Sequence, residues 1–60
     1  MITLLSKNNQ GIFKVADYIN FIDLENKLSE LFNDNFFRVL EKDKQCKVDN
    51  VLYYIEVKND

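Results

Sequence analysis

The feature that most constrains this chain is that its 60 residues must hold together without a cross-link. Cys46 is the only cysteine, so no disulfide can form within the chain, and the absence of histidine excludes a Cys/His zinc site. A chain of this length buries only about 60% of the surface that it exposes when unfolded. We therefore expect one small domain over residues 1–60 that depends on core packing, self-association or a partner for its stability.

Hydrophobic periodicity predicts a hairpin followed by a helix in the first half of the chain. Residues 2–6 and 12–19 have the alternation of strands, and the polar stretch between them ends in the only glycine, Gly11. Between residues 21 and 32 the apolar side chains, Leu31 among them, recur at three- and four-residue intervals. That spacing predicts an amphipathic helix with its apolar side in the core.

The second half of the chain is interpreted as another hairpin. Residues 36–42 and 51–58 have the pattern of strands, and the charged segment 43–50 is interpreted as the linker between them. The predicted element order is ββαββ. The fold class is therefore α+β, with a four-stranded antiparallel sheet and one helix packed across one face.

The residue types that usually build active sites are scarce. Histidine is absent, Gly11 stands alone rather than in a phosphate-binding loop, and Cys46 is interpreted as an exposed loop residue. The acidic residues around the segment 43–50 do not have the spacing of a calcium loop. We therefore expect no catalysis, no cofactor and no metal ion.

A docking surface is predicted on the side of the sheet that faces away from the helix. In the last strand, placing Tyr53 and Ile55 in the core leaves Leu52 and Tyr54 on the other side. In residues 36–42, Phe37 and Val39 are assigned to the core and the alternate residues to the outer surface. The predicted partner-binding residues, including two acids on the helix, are Phe36, Arg38, Leu40, Leu52, Tyr54, Asp23 and Glu30.

Charge favours a protein partner over a nucleic acid. Residues 15–35 carry five acidic side chains against the single base Lys27, so the helix side is predicted to be complementary to a basic protein patch. The formal net charge of −2 and the single arginine, Arg38, disfavour phosphate binding. Exposed aromatic side chains such as Tyr54 keep nucleic-acid binding open as an alternative, because bases stack on them.

The amino-acid composition suggests a source and a location for this chain. Eight asparagines and seven lysines against one arginine suit an AT-rich coding sequence, as in a low-GC bacterium, a phage or a plasmid. No stretch approaches the roughly 20 apolar residues of a membrane span, and the start lacks the pattern of a signal peptide, so we expect a cytoplasmic protein. We expect an interaction module, a phage- or mobile-element-encoded inhibitor that binds a host or cellular protein and blocks it sterically. A homodimeric structural or regulatory protein is the other alternative.

Overall fold

The computed structural model describes residues 1–58 and contains four strands and two helices. The elements in chain order are β1 (Ile2–Asn8), β2 (Gly11–Tyr18), α1 (Phe21–Leu28), α2 (Asp34–Asp43), β3 (Gln45–Val48) and β4 (Val51–Val57). The four strands form one antiparallel sheet in the order β2-β1-β4-β3. The predicted α+β class with a four-stranded antiparallel sheet is confirmed, with two helices in place of one.

The first hairpin has the position that the sequence predicts. Asn9 and Gln10 form the turn between β1 and β2, and the Asn8 side chain accepts a hydrogen bond from the Gln10 backbone N–H at 2.8 Å. Gly11 follows with a φ of 135°, a backbone conformation that L side chains rarely adopt. The only glycine of the chain therefore lies where the turn requires one.

Helix α1 begins where the sequence predicts and ends one turn earlier. The Asn20 side chain caps its start by accepting a hydrogen bond from the Asp23 backbone N–H at 2.8 Å. The helix ends at Leu28, and Leu31, which was expected in the core, is 73% exposed. The prediction of a helix through residue 32 is therefore wrong over its last turn.

The segment 36–42 is helical, so its interpretation as a strand is wrong. Asn33 caps α2 by accepting a hydrogen bond from the Phe36 backbone N–H at 2.9 Å, and Phe36, Phe37 and Leu40 are buried. Phe36 and Leu40 are four residues apart, and residues at this spacing share one side of a strand and also one side of a helix. Phe37 joins them in the core because adjacent positions share a side only in a helix.

The third strand lies in the segment that was interpreted as a linker. Lys44 ends α2 in the left-handed conformation with φ 66°, and the chain then runs directly into β3. Asp49, also at positive φ, lies in the turn that joins β3 to β4. The second hairpin therefore exists, but it is shorter and starts later than predicted.

Both helices pack on the same face of the sheet. The buried cluster combines the helical residues Leu24, Leu28, Phe36, Phe37 and Leu40 with the sheet residues Ile2, Leu4, Tyr18 and Ile55. Strand residues that lie directly opposite each other share a face, and the register pairs Leu4 with Ile55 and Ile2 with Tyr18. These sheet residues therefore line one face, which we call the helix face, and the opposite side is called the outer face. Within residues 1–58, neither helix is long and apolar enough to cross a membrane.

Candidate interaction surface

The outer face consists of three rows of side chains that cross the sheet. The strand register defines each row, because directly paired residues point to the same side. The first row is Asp17, Thr3 and Glu56, the second is Lys14, Leu5, Tyr54 and Gln45, and the third is Ile12, Lys7, Leu52 and Lys47. In the part of the chain that the structure describes, no helix or strand lies over these rows.

An apolar group lies at the middle of the outer face. Leu5, Tyr54 and Leu52 occupy the two central strands, and each is only partly buried. Their neighbours on the flanking strands are polar or charged, except Ile12, which is 56% exposed. An apolar centre within a polar rim is the composition of many protein-binding surfaces.

A shallow depression adjoins the third row, beside the two hairpin turns. It has a volume of about 300 Å³ and is lined by Lys7, Asn8, Asn9, Lys47, Asn50 and Leu52. Lys7 and Lys47 each pair directly with Leu52, from opposite sides, so their backbones lie roughly 10 Å apart at the usual strand spacing. The lining contains two ammonium groups and no carboxylate, and asparagine side chains add further hydrogen-bond donors.

The first row is acidic and internally bonded. Thr3 is buried, and its hydroxyl donates a hydrogen bond to Asp17 Oδ1 at 2.6 Å, while Lys14 Nζ lies 2.5 Å from Asp17 Oδ2. The hydrogen bond from Lys14, and then that from Thr3, lower the pKa of the Asp17 carboxyl below its usual value near 3.8. The acidic residues of the outer face, Asp17 and Glu56, therefore lie in the first row, where Lys14 and Lys58 are close to Asp17, and Lys7 and Lys47 lie toward the hairpin turns.

We expect Asp17→Asn to reduce stability at neutral pH and to reduce it less as the pH falls. Because the pKa of Asp17 is lowered in the folded state, its ionised form stabilises the protein above about pH 3.8. This stabilisation disappears as the pH falls through the lower folded-state pKa. Thermal melts of both proteins from neutral pH to below pH 3 measure the difference. A difference that stays constant over this range would show that the Asp17 charge makes no contribution.

Two of the predicted surface residues are in the core. Phe36 is 3% exposed and Leu40 is 0% exposed, so their expected place on the outer surface is wrong. The error follows from the helical conformation of this segment, which turns both side chains toward the sheet. Arg38 is exposed on α2, where its guanidinium donates a hydrogen bond to Asn35 Oδ1 at 2.5 Å. It therefore lies on the helix layer, away from Leu52 and Tyr54.

The two predicted acidic residues lie near α1 and belong to a different surface from Leu52 and Tyr54. Asp23 accepts a hydrogen bond from the Ile19 backbone N–H at 3.2 Å and lies 3.3 Å from Lys27 Nζ. Those contacts give Asp23 a local role at the start of the helix. Glu30 is exposed in the turn after α1. Of the seven predicted residues, the structure thus places only Leu52 and Tyr54 on the outer face of the sheet.

Sequence reasoning missed the residues that surround this pair. Leu5 lies directly beside Tyr54, and the lysines Lys7, Lys14 and Lys47 complete the surface. The alternation of β1 contained a usable signal, because Leu5 is out of phase with the core residues Ile2 and Leu4. The contribution of Lys47 was hidden because its segment was interpreted as a linker.

Residues for metal or thiol chemistry do not gather at this surface. Over residues 1–58, no group of three or more Cys, His, Asp or Glu side chains is placed to hold a metal ion. Cys46 lies in β3 opposite Tyr53, partly buried against the core, so its interpretation as an exposed loop residue is wrong.

Comparison of this chain with protein-family models, curated proteins and solved structures found no match.

Proposed function

We propose that this chain is a small protein-binding module that docks through the outer face of its sheet. The observation that carries the proposal is the uncovered patch of Leu5, Leu52 and Tyr54 between lysine-bearing edges. Burying these side chains against a partner removes apolar surface from water, and Tyr54 can keep a hydrogen bond at the same time.

The distribution of charge supports an acidic partner surface. Lys7 and Lys47 flank Leu52, and the depression beside them contains no carboxylate. A partner carboxylate at this end would meet two ammonium groups and the asparagine amides. Glu56 in the first row would repel a partner carboxylate, so the lysine end is the favoured position for it.

Inhibition by steric blockage is the action that we propose for such a module. The outer face is partly apolar, and its action on a partner in this proposal is to cover part of the partner's surface. The asparagine- and lysine-rich composition supports a phage or mobile-element origin and a host protein as the target. The single cysteine supports a reducing compartment such as the cytoplasm.

We expect the double variant Lys7→Glu/Lys47→Glu to weaken partner binding by about tenfold or more, because each substitution replaces an attraction by a repulsion at the acidic partner surface. The partner is first captured from a cell extract on the immobilised chain and purified. Its affinity for each variant is then measured by biolayer interferometry at two salt concentrations, because a rim of charges is screened by salt.

The matched control is Arg38→Glu/Lys42→Glu, which changes the net charge equally on the helix layer. We expect this control to retain the partner with less than about a twofold change in affinity. Greater loss in the control than in the sheet variant would place the binding surface on the helices and contradict the proposal. Circular dichroism of all variants excludes unfolding as the cause.

A single-stranded nucleic acid is the second candidate partner, favoured by the three lysines on the same face as Tyr54. The acidic first row and the net charge of −2 oppose it. An electrophoretic shift with single-stranded DNA at low salt separates the two candidates. Binding that falls steeply with salt and is lost in Tyr54→Ala would favour the nucleic acid over the acidic protein.

A further inference from the structure

Strand β2 is an edge strand with unusually apolar exposed side chains. It forms one edge of the sheet over eight residues, and Ile12, Phe13 and Val15 are 56%, 49% and 45% exposed. Its outer backbone groups have no neighbouring strand within residues 1–58. Long apolar edges of this kind add a further strand readily. The other edge, β3, is half as long and carries Lys47.

The pairing of β1 with β2 contains one extra residue on the β2 side. Leu4 pairs with Ala16 and Leu5 pairs with Lys14, so Val15 has no partner and forms a bulge. Because of this extra residue, Lys14 and Asp17 lie on the same face although they are three residues apart, as their ion pair also shows. In a regular strand, residues three apart point to opposite faces.

We propose that β2 pairs antiparallel with β2 of a second copy of this chain, with Lys14 opposite Asp17 of the partner. In this register Phe13 lies opposite Tyr18, and Val15 lies opposite Ala16 at the twofold axis. Each dimer contains the Lys14–Asp17 pairing twice, so two ammonium groups alternate with two carboxylates across the junction. Two antiparallel copies of β2 therefore place opposite charges next to each other at Lys14 and Asp17, and aromatic rings next to each other at Phe13 and Tyr18.

The bulge makes this register of a second copy possible. Directly paired residues share a face, and residues three apart in a regular strand point to opposite faces, so without the extra residue Lys14 could not lie opposite Asp17 of a second copy. A second copy carries the same extra residue, so the two strands stay in register across the twofold axis. Lys14 and Asp17 are both on the outer face, and Phe13 and Tyr18 are both on the helix face, so faces match on both sides of the bulge.

The resulting dimer has a defined geometry. A twofold axis perpendicular to the sheet joins the two four-stranded sheets into one of eight strands and keeps both helix layers on the same side. The two outer faces then lie side by side on the opposite surface. This self-association is independent of the proposed docking function, but it would give a docking module two copies of its surface and therefore avidity for a repeated or symmetric partner.

A charge swap tests this register directly. Lys14→Glu alone and Asp17→Lys alone each place like charges opposite each other, so we expect sedimentation velocity to show the dimer dissociation constant rising about tenfold for each variant. An equimolar mixture of the two variants restores opposite charges at both positions, and we expect it to dimerise as the unmodified chain does. Lys7→Glu, with the same charge change as Lys14→Glu but away from the edge, should leave the dimer unchanged.

Asp17 also accepts a hydrogen bond from the buried Thr3, so Asp17→Lys removes a contact within the fold as well as changing the charge at the junction. A second measurement therefore uses the unmodified chain. We expect backbone amide resonances of β2, those of Phe13 and Val15 among them, to shift with protein concentration. A chain that stays monomeric at every concentration would overturn the proposal, and so would a dimer whose shifts fall on Leu52 and Tyr54. Failure of the mixture to restore the dimer while both variants are folded would overturn the register.

Discussion

We expect Phe36→Ala to remove about 3–5 kcal/mol, a large part of the free energy of unfolding of this chain. Phe36 is 3% exposed, stacks on Phe32 with ring centroids 4.0 Å apart, and meets Phe37 and Tyr53 edge to face at 5.4 Å and 5.6 Å. Truncating a buried phenylalanine costs about 3–5 kcal/mol. At roughly 0.05–0.15 kcal/mol per residue, a domain of this length has a free energy of unfolding of only about 3–9 kcal/mol. Urea denaturation followed by circular dichroism measures the loss.

The control for this prediction is Leu31→Ala. Both substitutions shorten a large apolar side chain to a methyl group, but Leu31 is 73% exposed, so we expect a change within about 0.5 kcal/mol. The comparison also tests the segment in which sequence and structure disagree most. If Leu31→Ala unfolded the domain and Phe36→Ala did not, the helical packing of α2 would be wrong.

A second large effect is expected from Leu4→Ala in the central strand β1. Leu4 is 0% exposed and belongs to the cluster that joins the sheet to both helices. Removing three carbon atoms from such a site costs about 2–5 kcal/mol, because the transfer free energy is lost and a cavity remains. Chemical denaturation with an unchanged slope against denaturant would identify the loss as one of stability.

The adjacent Leu5→Ala is the matched control for both fold and function. Leu5 lies on the outer face and is only partly buried, so we expect it to cost about 1 kcal/mol and to leave the domain folded. The same variant should weaken binding of the partner, because Leu5 lies at the centre of the proposed docking surface. Equal losses of stability in the two variants would indicate that the outer face is covered rather than free.

The first half of the fold was predictable from local patterns. The alternation of residues 2–6 and 12–19, the polar turn and Gly11 led to the hairpin that the structure contains. The start of α1 followed equally from the apolar spacing of the residues after position 20. These signals are local, since turn chemistry and capping involve residues within a few positions of one another.

The second half required tertiary information. Residues 36–42 carry apolar side chains at four of seven positions, and the spacing of these four fits a strand and a helix alike. The two central strands of the sheet, β1 and β4, come from opposite ends of the chain. Five buried helical side chains pack on one face of this sheet. Packing on that face, with the cap of Asn33, decides in favour of the helix and moves the third strand to Gln45–Val48.

The candidate surface was likewise predictable from the sequence only in part. Leu52 and Tyr54 could be assigned to the outer face from the alternation of β4, because one buried row in a strand defines the exposed row. Their neighbours are determined by strand order and register, which bring Leu5, Lys7 and Lys47 alongside from distant parts of the chain.

By itself, the sequence determined the α+β class, the absence of a disulfide within the 60 residues, a hairpin, an amphipathic helix and a last strand that has one buried side. Only the tertiary structure decided the conformation of residues 36–42, the burial of Phe36 and Leu40, and the grouping of lysines around Leu5 and Tyr54. The reason is physical: turns and caps act between near neighbours, whereas an ambiguous apolar segment takes the conformation that fills the face its distant partners leave open.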